Sequence, residues 1–290
     1  MTVKEFHEQF VVFILTHGRA ENQSTYKAVR RQGYTGRVVF VLDNEDEEVP
    51  TYQSIYGRQN CYVFDKEEWN QRSDNILAGD KRAILYARNA CFEIAKELGF
   101  RYFIELDDDY TQFVFRFNDK AEVMKNTPSI KSLDNVWMIM LEYYRSIPCL
   151  SLAMCQGGDY IGGVDSPALQ TITLKRKAMN SFICDVQRPF EFKGRFNDDV
   201  NTYTRLGCRG GLFFSTTQLS LNQKGSQQTA GGMTDVYKDA GTYVKSFMSV
   251  VVHPSGVRIA VLVSKHRRIH HNVRWNNTAP KILHEKYRKL

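Results

Sequence analysis

Residues 81–113 read KRAILYARNACFEIAKELGFRYFIELDDDYTQF, and this stretch decides how the chain folds. Its first half predicts a helix over Lys81–Leu98, because Ile84, Leu85, Cys91, Ile94, Ala95 and Leu98 recur on one stripe at helical spacing. Gly99 stands where a helix ends in a left-handed residue. Tyr102-Phe103-Ile104-Glu105-Leu106 then reads as a strand, and it runs directly into Asp107-Asp108-Asp109.

The residues upstream repeat the alternation. Phe10–Leu15, Val38–Leu42 and Cys61–Phe64 are continuous apolar runs, as strands buried on both faces require, and 22–32 can form a helix between the first two. Strands that alternate with helices make a parallel sheet, whose ligands sit beyond the carboxyl ends of its strands. Three strand ends carry polar groups there: Thr16-His17-Gly18-Arg19, Asp43 and Asp107-Asp108-Asp109.

Farther along, a helix is expected over 134–147, a strand over 149–154 and a glycine-rich loop over 157–163. A short helix over 198–206, a strand over 212–215, a polar loop over 222–232 and a helix beginning at 234 follow. The glycine-rich loop lacks the G-x-x-x-x-G-K-[ST] pattern of a phosphate loop. No internal repeat and no interdomain linker breaks the chain.

With 290 residues, 42% apolar and 24% charged, the composition is that of an ordinary globular protein. No apolar run is long enough for a transmembrane helix, and MTVKEFHEQF has no signal core, so neither a membrane nor secretion is expected. Six scattered cysteines without a C-x-x-C pair predict reduced, mostly buried thiols in a cytoplasm. The net charge of +7 is wholly local: 264–290 holds eight Lys/Arg and one Glu, whereas the rest balances to zero. Such a segment attracts a polyanion or a nucleoside diphosphate, or is a solvated tail.

Carboxylates crowded at a ligand edge raise one another's pKa or bind a hard cation. On an extended segment alternate residues point the same way, so Asp107 and Asp109 are expected to share a Mg²⁺ or Mn²⁺ ion with substrate phosphates, Asp108 turning elsewhere. D-x-D alone is a short and common string, and taken by itself it is better explained as a solvated turn after a strand. Its setting is more specific. A helix bearing Ala87-Arg88-Asn89 that leads into a strand ending in D-x-D resembles the sugar-nucleotide-binding half of GT-A-fold glycosyltransferases, over about residues 10–110. The resemblance implies an α/β, GT-A-like (Rossmann-like) fold, mostly parallel and flanked by helices, with a mixed C-terminal half. It implies one domain over 1–290: a nucleotide-sugar half (1–110), an acceptor half (111–263) and a basic C-terminal segment (264–290). Thr16, Gly18, Arg19 and Asp43 would then surround the nucleoside of a UDP-sugar. Asp107 and Asp109 would hold the metal and diphosphate, Asp108 would serve the sugar or the structure, and Arg82 would lie near the donor. Arg88 reads as a structural ion-pair partner.

The later stretches FNDDVNTYTRLG, TTQLSLNQKGSQQTAGGMTDVYKDAGTYVKSFMSVVVHPS and SKHRRIHHNVRWNNTAPKIL resemble phage proteins of the TET/JBP-associated glycosyltransferase family. That resemblance implies sugar transfer to 5-hydroxymethylated pyrimidines in DNA, inside a host bacterial cytoplasm. In Asn197-Asp198-Asp199, one residue is expected to cap the helix. The resemblance to inverting GT-A enzymes, which use a carboxylate at about this point as general base, implies Asp199, with Asp198 in reserve, as the acceptor of the hydroxyl proton. GT-A enzymes often supply a metal-binding histidine from a late segment, which the resemblance implies is His271 or His270. Lys265 and Arg268 are candidates for the diphosphate; with Arg267, Arg274 and Trp275 they also suit DNA phosphates. Gln218, Asn222, Gln223, Gln227 and Gln228 read as a polar surface loop or as contacts to sugar hydroxyls. A non-DNA acceptor, a nucleotidyltransferase and a non-catalytic nucleic-acid-binding protein are the competing readings.

Overall fold

The computed structural model describes residues 1–73, 84–118, 122, 127–156, 177–178, 181–223, 233–263 and 267–279, with 233–242 and 268 by their backbone. In chain order the elements are α1 (Val3–Gln9), β1 (Phe10–Leu15), α2 (Ser24–Arg31), β2 (Val38–Asp43), α3 (Val49–Tyr56), β3 (Cys61–Phe64), α4 (Lys66–Arg72), α5 (Leu85–Glu97), β4 (Tyr102–Asp107) and β5 (Tyr110–Phe115). The second half adds α6 (Leu133–Ser146), β6 (Ser151–Gln156), β7 (Ser181–Asp185), α7 (Asp198–Gly207), β8 (Phe213–Gln223), α8 (Met233–Val252), β9 (Val257–Val263), β10 (Arg267–Val273) and α9 (Trp275–Thr278).

One sheet runs β3-β2-β1-β4-β7-β6-β8-β5. β1 pairs in parallel with β2 and β4, and β2 with β3. Every residue of β1 and β2 is buried, which is why their sequences show no polar alternation. Past β4 the sheet is mixed. β7 runs antiparallel to β4 and β6, β8 is parallel to β6, and β5 is antiparallel to β8. This is the GT-A-like α/β arrangement that the resemblance implies.

The two faces of β1 feed two cores. Phe10, Val12 and Ile14 pack with Phe6, Val29, Tyr52 and Trp137 from α1, α2, α3 and α6. Val11, Phe13 and Leu15 pack with Leu85, Cys91, Ile94 and Tyr203 from α5 and α7. Each fully buried side chain of this size contributes roughly 1.5–3 kcal/mol. The sheet is thereby covered on both sides, and its free boundary is the carboxyl ends of its strands.

Behind α2, the buried Gln32 amide donates to Phe113 O (2.6 Å) and Ile130 O (2.8 Å) and accepts from Phe113 N (2.8 Å), which ties β5 to α2. The chain leaves α2 through Gly33 at φ 78°, where a Cβ would meet Lys131 O at 2.5 Å.

Several segments differ from the sequence expectation, among them the helix expected over 81–98, which is described as Leu85–Glu97, with 81–83 outside the described residues. The strand expected over 149–154 lies at Ser151–Gln156, because the turn after α6, with Pro148 in it, occupies its start. The strand expected over 212–215 extends to Gln223, since its polar end pairs with β5. α8 runs its full length to Val252 rather than only at its start. Within the basic segment, β10 pairs with β9 as an antiparallel hairpin, with Ile269, His271 and Val273 opposite Val261, Ile259 and Val257. The cysteines are free thiols; Cys91, Cys149, Cys155 and Cys184 are buried and Cys208 is exposed. No described helix is long and apolar enough to cross a membrane.

Candidate active site

The acidic triplet is not an extended segment. Asp107 is the last residue of β4, and Asp108-Asp109 form the turn into β5. Thr25 fixes that turn, its hydroxyl donating to Asp107 O (2.5 Å) and accepting from Tyr110 N (2.8 Å). Strand alternation therefore does not assign the three carboxylates; the turn sends each in its own direction. Asp107 Oδ1 accepts from Arg88 Nη2 at 2.9 Å. Asp108 accepts from Thr16 Oγ1 (2.7 Å) and Arg19 Nη1 (2.8 Å). Asp109 Oδ2 accepts from Gln223 Nε2 (3.0 Å), and Gln156 Nε2 donates to Gln223 Oε1 (3.1 Å). The carboxyl ends of β4, β6 and β8 thus meet at Asp109. Burial, with the charge of Asp107, pushes the Asp109 carboxyl up to about 6.

The loop after β1 is held from α3 and its approach. Gly18, at φ 64°, donates its amide to Asp46 Oδ2 (2.8 Å), and Arg19 N donates to Tyr52 OH (3.0 Å). Buried Gln23 donates to Thr16 Oγ1 (2.9 Å) and Arg19 O (3.0 Å). Asp43, at the end of β2, lies between the His17 ring (2.8 Å) and Lys66 Nζ (3.2 Å). Burial alone would raise Asp43, but His17 and Lys66 hold it below the usual carboxylate range, and the same contact with Asp43 raises His17.

Arg88 and Asn89 carry the connection to the second half. Asn89 exchanges hydrogen bonds with the backbone of Phe192, donating at 3.2 Å and accepting at 2.8 Å, and so fixes the approach to α7. Arg88, fully enclosed between Phe182 and Phe192, reaches three carboxylates: Glu105 (3.4 Å), Asp107 (2.9 Å) and Asp198 (2.8 Å). The Asp198 contact is an ion pair without hydrogen-bond alignment. Burial opposes the Arg88 charge, yet the three acids hold its pKa far above the ordinary value. One guanidinium does not neutralise three acids, of which Glu105 and Asp198 are buried. Burial accordingly raises Glu105 to about 8 and also raises Asp198 and Asp199.

Beside this cluster Asn197 adopts a left-handed conformation (φ 51°), which Asn tolerates better than most residues. Its amide donates to Lys245 O (2.8 Å) and Ser249 Oγ (3.0 Å) and lies 3.3 Å from His271 Nδ1. It makes no side-chain cap, contrary to the expectation for this triplet, because α8 and β10 take its hydrogen bonds. Asp199 Oδ1 instead accepts from the adjacent Val200 N (2.8 Å). His271 is neutral: burial, then His270, Lys245 and Lys177, bring its pKa down to about 3. The His270 ring sits 4.3 Å from that of His271.

Asp109 Oδ1 is buried and has no hydrogen-bond partner among the described residues, so it has a lone-pair edge open to a cation. Among the described residues no three acid, His or Cys side chains form a preformed cage. Two carboxylates completed by substrate phosphates are what Mg²⁺ needs, and the donor set fits that mode. Arg82, Lys265 and the loops at 157–163 and 224–230 lie outside the described residues, and Arg268 is described by its backbone in β10. Gln223, expected in a polar loop, lies instead at the strand-end cluster.

A sequence profile of the TET-Associated Glycosyltransferase family matches residues 10–232. No curated protein matches the chain. Among solved structures, glucosyl-3-phosphoglycerate synthase of Mycobacterium tuberculosis, in complex with Mg²⁺ and uridine diphosphate, is similar at 8% identity and TM-score 0.48, over 94% of this chain and 92% of that one. Mannosyl-3-phosphoglycerate synthase of Rubrobacter xylanophilus is similar at 9% identity and TM-score 0.47, over 93% and 86%. TarS of S. aureus (1–349), in complex with UDP, is similar at 11% identity and TM-score 0.42, over 84% and 65%.

Proposed function

The chain belongs to the TET-associated glycosyltransferase family, and from that premise we propose that it moves a sugar from a UDP-sugar to the hydroxymethyl group of a modified pyrimidine, 5-hydroxymethylcytosine or 5-hydroxymethyluracil, in phage DNA. The reaction would take place in the cytoplasm of a bacterial host. The observation that carries this reading is the link made by Arg88 between Asp107, at the donor edge of the sheet, and Asp198, at the start of α7.

In this reading the nucleoside lies along the ends of β1 and β2, by Thr16, Gly18, Arg19 and Asp43. Asp107 and Asp109 would hold a Mn²⁺ or Mg²⁺ ion together with the donor phosphates. His271, with His270 as the alternative, would have to move toward them to join as a further ligand, since no three such side chains are gathered among the described residues. When bound, that ion neutralises charge developing on the departing diphosphate. Asp108 is engaged by Thr16 and Arg19, so its part is to set the β1 loop against the turn. Lys265, Arg268 and Arg82 serve the diphosphate.

Asp199 is the general base for an inverting transfer. Asp198 is spent on Arg88, whereas Asp199 Oδ2 makes no hydrogen bond among the described residues. Burial raises the Asp199 pKa, which improves it as a proton acceptor near neutral pH. The target base is stacked inside a duplex, so the enzyme must flip it out or act where the strands open.

The test is transfer of labelled sugar from a panel of UDP-sugars, with Mn²⁺, to hydroxymethylated duplex DNA, unmodified DNA and oligosaccharides. Label in the hydroxymethylated duplex alone is the expected result. Label only in an oligosaccharide would transfer the same chemistry to another acceptor.

A further inference from the structure

No Asp or Glu lies between Asp239 and Glu285, a span that holds seven Lys/Arg. Part of this charge is gathered at the outer side of the β9–β10 hairpin. A cavity of about 430 Å³ there is lined by Arg258, Asn272, Arg274, Trp275, Asn276 and Asn277. Arg258 and Asn272 are cross-strand partners and therefore share a face, the one opposite to that of Ile259 and His271. Arg258, Asn272, Arg274, Asn276 and Asn277 are exposed, and neither guanidinium has a carboxylate partner among the described residues.

The wall of this groove is fixed. Trp275 stacks on Tyr203 of α7, with ring centroids 5.7 Å apart and planes 16° apart. Arg274 N donates to Gly256 O (2.7 Å), and Asn277 Nδ2 donates to Ser255 O (2.9 Å). β10 joins the groove to the candidate active site. His271 faces Asn197 beside the catalytic acids, and Arg274 follows three residues later, about 10 Å along an extended chain. That reach keeps the groove within a few nucleotides of the candidate active site.

We propose that this groove seats the phosphodiester backbone of the acceptor nucleic acid within a few nucleotides of the target base, an assignment that rests on the DNA-acceptor reading above. Arg258 and Arg274 neutralise phosphates, and the asparagine amides bond phosphate or sugar oxygens. These contacts set the register of the strand and read no sequence.

The test uses the full chain and a fluorescent 20-base-pair duplex carrying one 5-hydroxymethylated pyrimidine, titrated over a range of salt concentrations. R258A/R274A is expected to weaken binding by an order of magnitude or more at low salt and to reduce the slope of log K against log salt by about 1.8. R258K/R274K, which keeps the charges, is expected to keep most of that slope. Binding of UDP with Mn²⁺ is expected to be unchanged in both variants, which also reports an intact fold. An R258A/R274A variant with wild-type affinity and slope would overturn the proposal. So would heparin displacing the duplex with equal affinity, since the groove would then take any polyanion. A wild-type enzyme that binds the duplex through these arginines but transfers no sugar to it would refute the acceptor reading and leave the backbone contact standing.

Discussion

Arg88 Nε stands 2.8 Å from Asp198 Oδ2, and this contact joins the helix before the acidic turn to the helix that carries the proposed base. The same guanidinium holds Asp107 at 2.9 Å. The acidic turn and the first residue of α7, next to the proposed base Asp199, therefore share one buried cation. Removing it leaves Asp107 and buried Asp198 without their counter-charge. R88A is expected to lose about 3–5 kcal/mol of stability in denaturant unfolding. R88K, which restores a charge but not the planar fork, is expected to recover only part of it.

Glu105 makes the folded protein lose stability as pH rises from about 4.5 to about 8. Its folded pKa of about 8 lies above the ordinary 4.5, so between those values the folded state keeps a proton that the unfolded chain has released. Stability then falls as pH rises through that window. E105Q removes the titration. Urea unfolding is expected to find the variant close to wild type at pH 5 and more stable by about 1–3 kcal/mol at pH 8. A variant that loses equally at both pH values would show Glu105 to be ionised and needed by Arg88.

The two acids that open α7 are expected to separate in their effects. D199N should lower kcat by about 10²–10⁴-fold with UDP binding intact, as loss of a general base does. D198N should act chiefly on stability, because its carboxylate is bound to Arg88. Unfolding and single-turnover transfer, measured on both variants, check the division. Equal loss of chemistry in D198N at unchanged stability would move the base to Asp198.

Much of the fold was legible because parallel strands are buried on both faces and so appear as bare apolar runs. Phe10–Leu15, Val38–Leu42 and Tyr102–Leu106 are of this kind. The strands that escaped have other reasons to exist. β5, YTQFVF, follows an acidic turn and earns its place by pairing with β8, whose own far half, QLSLNQ, is too polar to announce a strand. β10, RRIHHNV, reads as a run of charge, and only its partner β9 shows that Ile269, His271 and Val273 share one face.

The candidate site was legible as far as one strand end reaches. Thr16, Asp43 and Asp107–Asp109 follow from the rule that ligands sit at carboxyl ends. The division of labour within the triplet did not follow, because it is set by a turn whose partners, Arg88, Arg19 and Gln223, come from three distant segments. In the A-R-N helix Arg88 was readable as an ion-pair partner, but neither its three acids nor the role of Asn89 could be read from the sequence. The pair makes two tertiary contacts, to the acids and to Phe192.

The central claim is that the turn after β4 is a diphosphate-metal site, and the most direct test is calorimetric titration of UDP with and without Mn²⁺. The wild-type protein is expected to bind at least tenfold more tightly with the metal and to lose that gain on chelation, whereas D107A/D109A binds weakly and without regard to Mn²⁺. A double variant that keeps the wild-type affinity and the wild-type metal dependence would contradict the account.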